Sequence, residues 1–95
     1  MAAVKMYTTA GCPFCMMAER LLAARGVTDI AKIRVDLDAS RRAEMTRQTG
    51  QYTVPQIYIG EKHIGGYREL AALQHAGKLD ELLELESENL HGSPS

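Results

Sequence analysis

Two runs with strand periodicity, separated by one helical stripe, constrain this chain more than any other feature. Ala3 to Thr8 alternates and carries Val4, Met6 and Tyr7, while Ile33, Val35 and Leu37 alternate with Lys32, Arg34 and Asp36. A period of two is that of a half-buried strand. Between them Cys15, Ala18, Leu21 and Leu22 recur at helical spacing, with Glu19, Arg20 and Arg25 on the other face. Pro13 suits the first helical position, where its missing N–H has no partner to lose, and Gly26 ends the helix. Strand, helix and strand in that order predict a parallel pair with a right-handed crossover.

The rest of the chain extends this unit. Asp38 or Ser40 caps a second helix that runs to about Thr49 and stops at Gly50. Its Arg41, Arg42 and Arg47 read as a solvated face. Val54 to Ile59 and Lys62 to Ile64 are short strands around Gly60-Glu61, a hairpin in which Pro55 must stand at the first residue or an edge. Gly65-Gly66 breaks the pattern and gives the backbone room for close approach to another chain or a ligand. Leu70, Leu73 and Ala76 mark a third helix closed by Gly77, and Leu79, Leu82 and Leu83 a short last one. The order is βαβαββα plus a short C-terminal helix, an α/β fold with a four-stranded mixed sheet flanked by helices. Residues 1–86 form the domain and residues 87–95 a polar tail.

Both cysteines of the protein, Cys12 and Cys15, lie at the junction of the first strand and helix. A C-x-x-C at such a place reads first as a redox pair. A structural zinc site normally has four ligands. No second cysteine pair exists, and His63, His75 and His91 lack ligand spacing, so no metal is expected. A structural disulfide or two ordinary buried thiols remain as plainer readings, but a chain with two cysteines and no secretory signal is not of the disulfide-dense type. Its 95 residues suffice for one domain with a modest core, and a net charge of -1 gives no overall pull toward nucleic acid or membrane. A reducing cytoplasm is the expected compartment.

Placing Cys12 just before the first helical turn aims unpaired N–H groups and the positive helix end at its sulfur. Such positions generally lower thiol pKa values. Cys12 is therefore the expected nucleophile. Cys15, one turn further in and on the buried stripe, is the expected resolving thiol. Met16 and Met17 read as packing or rim residues.

Three separated stretches, Tyr7-Thr8-x-x-x-Cys12-Pro13-Phe14-Cys15, Thr53-Val54-Pro55-Gln56-Ile57-Tyr58-Ile59 and His63-Ile64-Gly65-Gly66, occur in the order and spacing of glutaredoxins. The chain resembles the small bacterial dithiol class of that family from about Ala3 to Leu85. The resemblance implies a thioredoxin fold, a cis peptide before Pro55, and a glutathione-dependent thiol-disulfide oxidoreductase that reduces protein disulfides and glutathione mixed disulfides. Glutathione would be the co-substrate, supplied through the glutathione reductase system, and oxidised or glutathionylated proteins the partners of a monomer.

The resemblance also implies a binding groove. Thr53 and Val54 beside cis-Pro55 would pair their main chain with the cysteinyl part of glutathione, as a short added strand does. Phe14 would form an apolar wall, and Gln51 would contact the glycyl carboxylate. Gly66 and Tyr67 would offer helix N–H groups to the γ-glutamyl carboxylate, with Arg68 beside them. The chain departs from the family at Thr9, where Lys is common, and at Arg68, where Asp is common; Glu69 follows one residue later. Both departures bear on the grip on glutathione rather than on the thiols. His63 reads as a surface strand residue, and Tyr52 and Tyr58 as sheet or rim packing.

Two readings of other classes stay open. One is a redoxin reduced directly by a flavin-dependent thioredoxin-type reductase and serving a dedicated target such as ribonucleotide reductase. The other is an iron-sulfur-cluster-binding glutaredoxin, against which Pro13 and the competing Cys15 both argue.

Overall fold

A computed structural model describes residues 2–90, with side chains through Glu84. Eight elements follow in the expected order: β1 (Val4–Thr8), α1 (Pro13–Ala24), β2 (Ile30–Arg34), α2 (Ala39–Thr49), β3 (Gln56–Ile59), β4 (Lys62–Gly65), α3 (Tyr67–His75) and α4 (Leu79–Leu90). The strands form one sheet in the order β2-β1-β3-β4. β1 runs parallel to β2, with Val4 opposite Ile30 and Thr8 opposite Arg34, and antiparallel to β3, with Met6 opposite Ile57. The β3–β4 hairpin is antiparallel and skips one residue between the pairs Tyr58–His63 and Ile57–Gly65.

Alternation along β1 divides the core in two. Val4 and Met6 join Ile57 and Ile59 under α1, α3 and α4, packed on Ala18, Leu22, Leu70, Leu79 and Leu83. Tyr7 faces the opposite side, where Met45 of α2 covers it together with Val35. The Tyr7 hydroxyl donates to Glu44 of the same helix at 2.5 Å. Helices therefore flank both faces of the sheet, as expected. No helix among the described residues is long and apolar enough to cross a membrane.

Three boundaries differ from the sequence reading. β2 lies earlier than the alternation of Ile33, Val35 and Leu37 indicates: it ends at Arg34, and Leu37 is 73% exposed. The partner strand is the reason, because β1 ends at Thr8 opposite Arg34 and leaves only the Val35 N–H to bond back to the Thr8 carbonyl, at 3.0 Å. β3 begins at Gln56 rather than Val54, since Pro55 has no N–H for a ladder; the Val54–Pro55 bond is cis. α4 carries helical backbone through Leu90, so residues 87–90, placed in the tail from sequence, continue the helix; the remainder of that tail, 91–95, lies outside the described residues. Asp38, rather than Ser40, caps α2, accepting the Ser40 N–H at 2.9 Å.

Candidate functional site: a thiol pair at the mouth of a groove

The end of β1 and the start of α1 hold the cysteines. Cys12 is the N-cap of α1, in extended conformation, and Pro13 opens the helix. The loop before it is tied down from the side: Asp36 accepts the Ala10 N–H at 3.3 Å while Arg34 grips both its oxygens at 2.8 and 2.7 Å. That guanidinium fork holds the Asp36 carboxyl well below the usual carboxylate range.

Cys12 is partly exposed and Cys15 buried, both as free thiols. The Cys15 N–H donates to Cys12 Sγ at 3.3 Å, so the helix start presents a donor and its positive end to the outer sulfur. The Cys12 thiol also lies 3.9 Å from the Val54 carbonyl oxygen. Cys15 differs in kind. Burial first, then the hydrogen bond to Cys12, pushes its thiol up to about 11, against opposing help from the Thr8 hydroxyl and the Thr9 backbone. One sulfur is thus accessible and backed by a donor, while the other is a buried, protonated reserve. The difference in burial expected from the position of each residue on the helix is present in the structure.

Beside Cys12 opens a cavity of about 830 Å³. Gln51, Thr53, Val54 and Pro55 form one wall, Gly66, Tyr67 and Arg68 at the start of α3 another, and Phe14 a third. Every residue named from sequence as a glutathione contact therefore borders one cavity. Cys12 itself is not in the walls; it meets the cavity through Val54. Phe14 is 56% exposed and its ring centroid stands 6.3 Å from that of Tyr67, a tilted pair across the opening. Met16 and Met17 are exposed on the same helix and do not line the cavity. Tyr52 is out in solvent at 75% exposure, whereas Tyr58 packs edge-on to Tyr7 at 6.3 Å.

Of the two glycines before α3, Gly65 is the one the structure requires: its φ is +116, and a Cβ there would stand 2.9 Å from Glu69 Oε1, whereas a Cβ on Gly66 would only touch the Pro55 carbonyl oxygen at 3.4 Å. Glu69 Oε1 accepts the Gly66 N–H at 2.7 Å, capping α3. The carboxylate that follows Arg68 is thus already committed to the helix start, and Arg68 has no acidic partner among the described residues.

Five residues of the wall were not named as contacts from sequence: Gln56, His63, Ile64, Gly65 and Glu69. Gln56 is 2% exposed, and its side chain meets both Thr53 and His63. The hairpin signal around Gly60-Glu61 could have found the pair, because Gln56 and His63 are diagonal neighbours on one face of such a hairpin. Among the described residues no cluster of His, Cys, Asp and Glu is arranged to hold a metal ion.

Comparison with known proteins agrees with this site. The glutaredoxin family model matches residues 4–64. The chain is 53% identical over 83 residues to a glutaredoxin of Neisseria meningitidis, covering 87% of this chain and 98% of the relative. It is 44% identical over 84 residues to glutaredoxin 3 of Escherichia coli, covering 88% of this chain and all (100%) of that one. The structure superposes on the crystal structure of a buckwheat glutaredoxin-glutathione complex with a TM-score of 0.82 and 27% identity, covering 90% of this chain and 80% of the other. The four-stranded mixed sheet with flanking helices is the thioredoxin fold of glutaredoxin structures. With its motif, fold and thiol pair in agreement, the chain belongs to the glutaredoxin family and is a thiol-disulfide oxidoreductase.

Proposed function

We propose that this protein uses glutathione to reduce glutathione mixed disulfides and protein disulfides, with Cys12 as nucleophile and Cys15 as resolving thiol. The observation that carries this reading is the open groove between the cis-Pro55 loop and the start of α3, which reaches the accessible sulfur of Cys12 at Val54. The structural likeness to a glutaredoxin seen with glutathione adds support.

In this reading the Cys12 thiolate attacks the glutathionyl sulfur of a mixed disulfide and the substrate leaves as a thiolate. The glutathione now bound to Cys12 lies along Val54, its γ-glutamyl carboxylate toward the N–H groups of Tyr67 and Arg68 and its glycyl end toward Gln51, with Phe14 covering the apolar stem. A second glutathione thiolate attacks the glutathionyl sulfur, forming glutathione disulfide and returning Cys12 as a thiolate. For a protein disulfide the first mixed disulfide joins Cys12 to the target. Cys15 then gives up its proton and attacks Cys12 Sγ, and the target leaves reduced. The Cys12–Cys15 disulfide is reopened by two glutathiones. Arg68 serves the γ-glutamyl carboxylate, not the ammonium. The protein acts as a monomer in the cytoplasm, where thiols are kept reduced.

The test supplies the oxidised protein with NADPH and either glutathione plus glutathione reductase or thioredoxin reductase alone, and follows NADPH oxidation with a glutathionylated peptide. Turnover with the glutathione system is the expected outcome. Turnover with thioredoxin reductase and none with the glutathione system overturns the glutathione reading and leaves the thiol chemistry in place.

A further inference from the structure

Gln56 is one of two buried polar residues among the described residues, 2% exposed, and its amide stands between partners of opposite demand. Its Nε2 donates to the Thr53 carbonyl oxygen at 3.0 Å and faces Thr53 Oγ1 at 3.4 Å. Its Oε1 meets His63 Nε2 at 2.8 Å. A carbonyl oxygen only accepts, so the amide must turn its NH2 to Thr53, and His63 must then donate from Nε2. The His63 ring is held in turn, its centroid 5.1 Å from that of Tyr58, over which Lys5 Nζ sits at 4.5 Å. The Thr53 carbonyl belongs to the peptide that enters Val54, the residue whose own carbonyl oxygen lies 3.9 Å from Cys12 Sγ.

We propose that Gln56 and His63 are a positioning pair: His63 fixes the orientation of the Gln56 amide, and the amide holds the Thr53–Val54 main chain at the height at which an extended disulfide substrate pairs with it beside Cys12. Neither side chain touches the reacting sulfurs. The pair sets how well the substrate strand docks, and the thiols set how fast it reacts. The inference rests on the proposed seat of substrate at Val54, but not on that substrate being glutathione.

The isosteric Gln56→Glu is the sharp variant, because a carboxylate still accepts from His63 yet confronts the Thr53 carbonyl with a second acceptor. His63→Ala, at an exposed position, keeps the fold and frees the amide to turn. Steady-state KM and kcat are measured on a glutathionylated peptide and on a peptide with an internal disulfide, the latter regenerated by dithiothreitol, alongside the rate at which iodoacetamide alkylates Cys12. Each variant is expected to raise KM about fivefold on both substrates, with kcat and alkylation within about twofold of wild type, the size of one lost hydrogen bond. The double variant is expected to cost no more than Gln56→Glu alone, since both act through one amide. An unchanged KM for His63→Ala, additive effects in the double variant, or a parallel fall in Cys12 alkylation overturns the pair. A wild-type protein that turns over the internal disulfide but not the glutathionylated peptide defeats the glutathione reading, and the peptide arm still decides the pair.

Discussion

The amide of Cys15 donates to the sulfur of Cys12 across 3.3 Å, while the thiol of that same Cys15 is buried and pushed up to about 11. One residue therefore meets its partner as a fixed donor from its backbone, and in the proposed reaction it also supplies the resolving thiol from its side chain. The backbone contribution survives replacement of the side chain. Cys15→Ser is expected to retain turnover of a glutathionylated peptide and to lose reduction of internal protein disulfides, whereas Cys12→Ser loses both. Substantial deglutathionylation by the Cys12→Ser protein would reverse the assignment.

Alkaline pH tests the burial of Cys15. Its ordinary value of 9.0 applies in the unfolded chain and about 11 in the folded one, so the unfolded state releases the proton first. Stability from a raised value is complete below the unfolded value and is withdrawn as pH rises toward the folded one. Denaturant midpoints should fall between pH 9 and 11, and Cys15→Ala should flatten that fall. Tyr7, raised from 10.0 to about 12 chiefly by burial and then by Glu44, adds a later decline that Tyr7→Phe removes. Parallel curves for wild type and Cys15→Ala would mean that the thiol is not held protonated by the fold.

Phe14 is more than half exposed, so its truncation disturbs the groove rather than the core. Phe14→Ala is expected to leave the melting temperature within a degree or two and to raise KM for a glutathionylated peptide about fivefold, corresponding to about 1 kcal/mol of apolar contact. A matched loss of thermal stability would place the ring in the core instead.

At Gly65 the backbone and the neighbour forbid a side chain together: φ is +116, and a Cβ would meet Glu69 Oε1 at 2.9 Å. Gly65→Ala is expected to cost about 1–3 kcal/mol in chemical denaturation. Removing the cap with Glu69→Ala costs about 1 kcal/mol. It also relieves the contact, so the double variant should be less destabilised than the sum. Strict additivity would show that the strain lies in φ alone.

Local chemistry made much of this legible. The alternation of Val4 and Met6 with Tyr7, the helical stripe from Cys15 to Leu22, and the Pro13 that starts it are short-range signals, and all three elements stand where those signals fall. The ends of β2 and β3 were less legible because a strand extends only as far as its neighbour bonds to it. Leu37 continues an apolar alternation but has no strand beside it, and Val54 precedes Pro55, which has no N–H to give to a ladder. The length of α4 was missed because the polar residues from Ser87 read as tail, although the helix continues through Leu90.

By itself the sequence determined the βαβ start and the unequal burial of Cys12 and Cys15, because these follow from periodicity and from position on a helix, while the order of three motifs, read through the family resemblance, pointed to the stretches that border one cavity. Tertiary structure alone decided that Glu69 is spent on the Gly66 N–H, that Asp36 pins the loop before Cys12, and that the Gln56 amide donates to the Thr53 carbonyl. Each is a hydrogen bond to a main-chain group. Backbone donors and acceptors are the same at every residue, so nothing in the order of side chains announces which one a carboxylate or an amide will reach until the fold brings them together.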